Sequence, residues 1–296
     1  MLDMNRALNN DRVIKAMTGL SCIEFFNLLP IFEKALIANK KVTAQRASGG
    51  GRKGALKDSK SKLFFILFYF KAYPTMDVCG VLFGVDRSKI CHWVKKFTKI
   101  LELALGYAAV LPQRRINNVA EFMEKFAYDE IIIDGVERKV QRPKKAKLLR
   151  KQYSGKKKSH TRKNIVISDK NRKILLISPS KDGKFHDKTM LDKEQISQSL
   201  PHSIDVLVDK GFTGMQKQSH ARIHVPKKKS KKKPLDDIDK ENNRIIASFR
   251  MPVEHAIGGM KRFGIVSDIF RNKHGFDDQA TFVCSGLWNF HIIHRI

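Results

Sequence analysis

The sequence predicts a mixed α/β domain preceded by an all-helical segment. Three observations point there. Apolar residues at helical spacing dominate residues 1–110, short β-branched runs (IIID, VLVD) begin only after Phe126, and two long helical stretches close the chain. The expected division is 1–110, helical with a helix-turn-helix at about 57–105, and 125–296, α/β.

Taken in order, Asp11–Met17 reads as a short helix closed by Gly19. Ser21 and Glu24 (SCIE) form a capping box that opens the next, whose apolar face is expected at Ile23, Phe26, Leu29 and Phe32. The glycine-rich interval Ala47–Gly54 (ASGGGRKG) reads as a hinge. Lys57–Tyr73 follows, containing the apolar run LFFILFYF, too short to span a bilayer and expected to be a buried helix. After Pro74 come a short helix, Thr75–Leu82, a turn at Gly84, and a helix from Arg87 to about Leu105 with Asp86 as its cap. Ile90, Trp93, Val94 and Phe97 make the inward face of that last helix. Arg87, Lys89, His92, Lys95 and Lys96 remain for solvent or DNA, the pattern of a helix-turn-helix recognition helix.

Beyond Phe126, IIID is a buried strand and the segment to Lys163 is strongly basic. NIVIS and KILLIS around DKNR read as a hairpin, Phe185–Gln198 as a helix, Ile204–Asp209 as a buried strand and Ile223–Val225 as an edge strand. Lys227–Lys233 is an exposed basic loop, residues 234 to about 263 are mostly helical, and Asp277–His294 is a closing helix.

Charge narrows the function. In 296 residues there are 58 Lys and Arg against 29 Asp and Glu, a formal net charge of +29 spread through most of the chain. Such an excess repels itself in a compact fold and is matched by a polyanion, and nucleic acid fits a distributed charge better than a membrane surface does. Cys22, Cys79, Cys91 and Cys284 have no zinc-ligand spacing and read as reduced thiols. The N-terminus has no targeting character, so a cytoplasmic protein is expected.

The chemistry is carried by acids. Asp134 and Asp209 each end a buried strand run, where open α/β sheets place their sites. Glu254 lies in R-x3-E-x6-K, and on a helix Arg250, Glu254, Gly258 and Lys261 share one face. Hard carboxylate oxygens suit Mg²⁺, with Mn²⁺ as substitute, and a pair of such ions catalyses in-line displacement at phosphorus. Arg250 and Lys261 then serve phosphate. His186 and Asp187 are possible neighbours of the site or a helix cap, and Asp129, Glu130 and Glu137 are expected at the surface or behind the site.

IIIDGVE, SKDGKFHDKTML, VLVDKGFTG and FRMPVEHAIGGMKRFGI together resemble the blocks of bacterial insertion-sequence transposases with a DDE catalytic domain, related to Harbinger-type nucleases. TGLSCIEFFNLL and GGGRK resemble that family's N-terminal helix-turn-helix region. The resemblance implies a ribonuclease-H-like mixed sheet flanked by helices, with Asp134, Asp209 and Glu254 as a metal-binding triad and Lys261 as the motif's basic residue. It further implies two divalent metal ions and binding of double-stranded DNA, both inverted-repeat ends and target. A homodimer or larger synaptic complex at the bacterial nucleoid, with no membrane, would be the working form. A Tyr often stands three positions before the Arg in the related pattern; here Ala247 does.

Overall fold

The computed structural model describes residues 3–43, 54–116, 129–229, 234–272 and 275–295. The expected hinge Ala47–Gly54 lies outside these except for Gly54, and the loop Lys227–Lys233 is described only to residue 229. The chain divides into two compact units: residues 1–111, 260–268 and 279–296 form the first, and 112–259 with 269–278 the second. The closing helix, which the sequence reading grouped with the sheet, therefore belongs from Gln279 onward to the first unit.

The first unit is helical. It holds α1 (Met4–Leu8), α2 (Asp11–Thr18), α3 (Cys22–Thr43), α4 (Ser59–Ala72), α5 (Met76–Phe83) and α6 (Arg87–Tyr107). The capping box is present: the Ser21 amide donates to Glu24 Oε2 at 2.7 Å and the Glu24 amide to Ser21 Oγ at 3.2 Å. The inward face of α3 differs from expectation. Phe25, Leu28, Phe32 and Ala35 are buried, whereas Ile23 and Phe26 are exposed. A strict three-residue spacing drifts about 60° per step on a 3.6-residue helix, so it cannot stay on one face. Helix α4 is buried all round from Leu63 to Phe70, as an apolar run without a polar face requires. Its Phe65 ring meets Phe83 and Trp93 edge-on at 5.0 and 5.3 Å, which ties α4 to α5 and α6.

Between α5 and α6 the chain turns at Gly84, in the left-handed region at φ 65°, where a side chain is strained. Thr75 caps α5 through its hydroxyl; Asp86 stands at the cap of α6 but its side chain accepts no capping bond. Ile90, Trp93, Val94 and Phe97 are buried, and Arg87, Lys89, His92, Lys95 and Lys96 are all exposed.

The unit closes with α10 (Gly264–Ser267) and α11 (Phe276–His294), the latter hydrogen-bonded through Asn289 to the Val110 carbonyl at 2.9 Å. His291 on α11 contacts Glu24, a carboxylate almost wholly buried. Burial pushes the Glu24 pKa up, but the His291 and Ser21 hydrogen bonds and the charges of His291 and Arg262 outweigh it and hold it below the usual value. A depressed acid stabilises the fold above its unfolded pKa and loses that contribution as pH falls through the folded one. Stability of this unit should therefore drop below about pH 4.3. Both tryptophans, Trp93 and Trp288, lie in it, so intrinsic fluorescence reads the acid limb directly. E24Q should flatten that limb; an unchanged limb would remove Glu24 as its cause.

The second unit is built on a mixed sheet. Its strands are β1 (Glu130–Lys139), β2 (Tyr153–Ser154), β3 (Ser159–Ser168), β4 (Ile174–Ile177), β5 (Lys181–Asp182), β6 (Asp205–Val208) and β7 (Arg222–His224). β1 is central, antiparallel to β3 on one side and parallel to β6 on the other; β4 runs antiparallel to β3, and β7 parallel to β6. This gives β4-β3-β1-β6-β7, the mixed order expected of a ribonuclease-H-like sheet. Ile131, Ile133, Ile165, Ile167, Val206 and Val208 fill one face together with Met190 and Leu191 of α8 (Asp187–Lys193). α7 (Ala146–Gln152) and α9 (Asp237–Lys261) are the other α-helices among the described residues.

Two expectations change here. The helix read over Phe185–Gln198 runs only from Asp187 to Lys193, after which Gln195 takes a positive φ of 55°. Asp134 does not end its strand, because β1 continues to Lys139 paired with β3 alone. No helix among the described residues is long and apolar enough to cross a membrane. The four cysteines are free.

Candidate active site

Register brings the first two acids together. β1 and β6 are parallel, and their last paired residues are Ile133 and Val208. Asp134 and Asp209 are the next residue on each strand, so both emerge where the parallel ladder stops. A slip of one residue would draw Asp134 into the paired, buried part of the ladder, so its charge holds the register. Asp134 is at the end of the pairing rather than of the strand, and it stays tethered by β3 beyond it, where its Cα partner is Val166.

A guanidinium spans the pair. Arg250 on α9 is 3.3 Å from Asp134 Oδ2 and 3.8 Å from Asp209 Oδ1, with its own side chain only 9% exposed. Asp134 is less exposed than Asp209, 23% against 42% of the side chain, and its Oδ1 accepts from the Gly135 amide at 2.7 Å. Burial pushes the Asp134 pKa above the usual carboxylate value. Arg250 and the Gly135 amide pull against that, and the negative charges of Asp209 and Asp187 add to it.

Asp187 is the third carboxylate here. It is the first residue of α8, preceded by the exposed His186 at the cap position, whose side chain makes no capping bond. A Cβ on Gly135 would stand 3.0 Å from the Asp187 carboxyl carbon, so the missing side chain is what admits this acid to the edge of the sheet. A Cβ on Gly211 would lie 3.6 Å from Asp187 Oδ2 and 4.0 Å from Asp209 Oδ2, which puts those two oxygens around one small space.

Behind Asp187 stands Lys163, which is almost fully buried. Its ammonium donates to the Phe185 carbonyl at 3.1 Å and to Asp187 Oδ1 at 3.3 Å, and lies 3.8 Å from Glu137. Glu137 also accepts from Thr161 Oγ1 at 2.6 Å. Sequence reading missed Lys163. Its signal is the β1–β3 register, in which Glu137 and Lys163 are direct partners, and a hairpin with a long excursion conceals its register.

Glu254 stands apart. It is exposed, one turn beyond Arg250 on α9, and among the described residues no three His, Cys, Asp or Glu are gathered closely enough to enclose a metal ion. Pro252, between them, removes one backbone donor from the helix. Lys261 is the last residue of α9 and falls in the first unit. The structure thus joins Asp134, Asp209 and Arg250, adds Asp187 and Lys163, and leaves Glu254 outside this contact set.

Two carboxylates around one cation fit a hard divalent ion. Mg²⁺ keeps several waters and takes one or two protein carboxylates together with substrate phosphate, so the Asp134–Asp209 pair meets its needs without a closed cage.

Comparison with known proteins gives consistent results. Residues 133–289 match the DDE superfamily endonuclease family, and residues 54–106 match the helix-turn-helix of DDE superfamily endonuclease. A relative described as a probable transposase for insertion sequence element IS702, from Microchaete diplosiphon, is 28% identical over 283 residues, which cover 95% of each chain. No solved structure matches.

Proposed function

Because this chain belongs to the DDE superfamily of endonucleases, we propose that it is a DNA transposase that binds the terminal inverted repeats of its element, cleaves there and joins the 3′-hydroxyl ends to target DNA. The observation that carries the reading is the placement of Asp134 and Asp209 at the same register of two parallel strands, across the guanidinium of Arg250. The exposed basic face of α6 supplies the DNA-binding half, through Arg87, Lys89, His92, Lys95 and Lys96.

The catalytic set is Asp134, Asp209 and Glu254, with Asp134 and Asp209 the metal-holding pair and Glu254 the third acid. Two Mg²⁺ or Mn²⁺ ions bound there would activate the attacking oxygen and stabilise the leaving one, and the same arrangement serves water and a 3′-hydroxyl alike. The chain's own groups prepare the site. The Gly135 amide orients Asp134, and Lys163 holds Asp187 against the sheet. Arg250 offsets the repulsion between Asp134 and Asp209, and Lys261 lies further along the same helix for phosphate. Joining requires two ends to be held at once, so the working form is a homodimer or larger assembly on DNA.

Purified protein with Mg²⁺ or Mn²⁺ and a labelled fragment of the DNA flanking its gene should cut and join. Cutting without joining would leave a nuclease; neither would overturn the reading. R250A should leave the two carboxylates facing one another without a cation. We expect cleavage to fall on the order of 10–100-fold, about 1.4–2.8 kcal/mol of barrier. Without metal, the melting temperature of R250A should also fall by several degrees, a loss that added Mg²⁺ partly restores. A melting curve that ignores Mg²⁺ would contradict a role for Arg250 at a cation site.

A further inference from the structure

Between β1 and β3 the chain makes an excursion, residues 140–158, that carries nine Lys and Arg and no Asp or Glu. We propose that this excursion, together with residues 270–272 and 275–277, forms a cleft that grips the phosphate backbone of duplex DNA flanking the reacting bond, a second nucleic-acid site on the sheet-containing unit.

The cleft has a built floor. Val140 bridges Phe270 in parallel, the Gln141 amide donates to the Phe270 carbonyl at 3.2 Å, and the Phe270 amide donates to the Lys139 carbonyl at 3.0 Å. The basic residues are thus carried by a backbone anchored at the end of β1. The cleft encloses about 640 Å³, and five cations line it against one carboxylate, Asp277. That carboxylate is already engaged, 3.1 Å from Arg162 Nε and 3.6 Å from Arg138. Arg142, Lys144 and Lys145 are exposed. The lining therefore presents a strong positive field to solvent, and a chain of phosphates is its natural complement.

Two features favour duplex over single-stranded nucleic acid. The one aromatic side chain in the lining, Phe270, is 4% exposed, so no ring is available for a base to stack on. The charged groups of the lining, Arg142, Lys144, Lys145, Arg162 and Arg271, suit phosphate oxygens, the commonest partners of such side chains on a duplex. Position gives the register. Val140 is six residues beyond Asp134, immediately after the end of β1, which at strand rise is about 20 Å, or roughly six base pairs of duplex. The cleft lies on the flank of a substrate whose reacting phosphate is at Asp134, outside the chemistry.

The proposal rests on the DNA reading above, and its test separates the two. The full-length protein is titrated with a 30-base-pair labelled duplex of the DNA flanking the gene, at several salt concentrations. Each lost phosphate contact lowers the slope of log affinity against log salt by about 0.9, so R142A/K144A/K145A should lose nearly three units of slope. At 0.1 M salt this is an affinity loss on the order of 100-fold. K170A/K217A, which removes two exposed lysines elsewhere on the same unit, should match wild type. All three replaced side chains are exposed, and an unchanged melting curve checks the fold. A wild-type slope in the triple variant would overturn the cleft while leaving the DNA reading intact, and so would equal loss in K170A/K217A or on duplex RNA alone. Wild-type protein that binds no duplex would overturn the reading beneath it.

Discussion

Asp134→Asn should reduce strand cleavage by 10³-fold or more, at least about 4 kcal/mol of barrier, while leaving the protein as stable as before or more so. The two effects have one cause. Burial holds the Asp134 pKa above the usual carboxylate value, so at neutral pH the ionised form is kept at a cost to the fold. An acid whose pKa rises on folding stabilises most below its unfolded pKa, and that contribution is lost as pH rises through the folded value. Asn keeps the shape and removes the charge, so any gain in melting temperature should appear near pH 7 and vanish near pH 4. What Asn cannot supply is an anionic oxygen, which the chemistry needs and the fold does not. Such a trade of activity against stability is what a strained functional group gives. A metal-free melt at both pH values, beside a cleavage assay, reads both halves. D134N cutting like wild type would end the mechanism.

Arg138→Ala should cost about 3–5 kcal/mol of stability, the range for removing one partner of a buried ion pair. The Arg138 side chain is 1% exposed and bonds in several directions: to the Asp277 carbonyl at 3.1 Å, Asn164 Oδ1 at 2.9 Å and Ser180 Oγ at 2.9 Å, with the Asp277 carboxylate at 3.6 Å. It thereby joins β1 to β3, to the strand-end segment at Ser180 and to the start of α11. Truncation leaves Asn164 and Asp277 buried, and Ser180 half-buried, with fewer donors. Arg162, 3.1 Å from Asp277, and Arg114, paired with Asp278, compensate only in part. Denaturant unfolding of R138A against wild type measures this, and a difference below about 1 kcal/mol would contradict it. D134N and R138A should thus separate cleanly: two residues of one strand, one lost in chemistry and the other in folding.

Much of this was legible in the sequence, and the exceptions have physical causes of two kinds, local and long-range. IIID and VLVD announced the central strands because short uninterrupted apolar runs rich in β-branched residues have few other homes, and the face of α6 followed from spacing alone. Asp134 and Asp209 were legible as acids closing those runs. Their contact with Arg250 was not, since it depends on how α9 lies on the sheet. The face of α3 was misread because Ile23, Phe26, Leu29 and Phe32 follow a strict three-residue spacing, which drifts off one face of a 3.6-residue helix, whereas Phe25, Leu28, Phe32 and Ala35 hold it. The length of α8 was overestimated because the apolar pattern continues through Ile196 and Leu200, which are buried after the helix has ended. Lys163 and Arg138 read as part of a basic surface, yet pairing to Glu137 and Asp277 takes them inside. Long-range pairing decided the places of Arg250, Lys163 and Arg138, and a local pattern carries no record of it.

The most direct test of the central claim is to locate the metal on the chain. Fe²⁺ placed in the Mg²⁺ site, with ascorbate and peroxide, generates hydroxyl radicals that cut the polypeptide beside the bound ion. Cuts clustered near residues 134, 209 and 254, suppressed by excess Mg²⁺ and lost in D134N, are the expected result. Cuts elsewhere, or none near 134 and 209 that Mg²⁺ suppresses, would contradict the account.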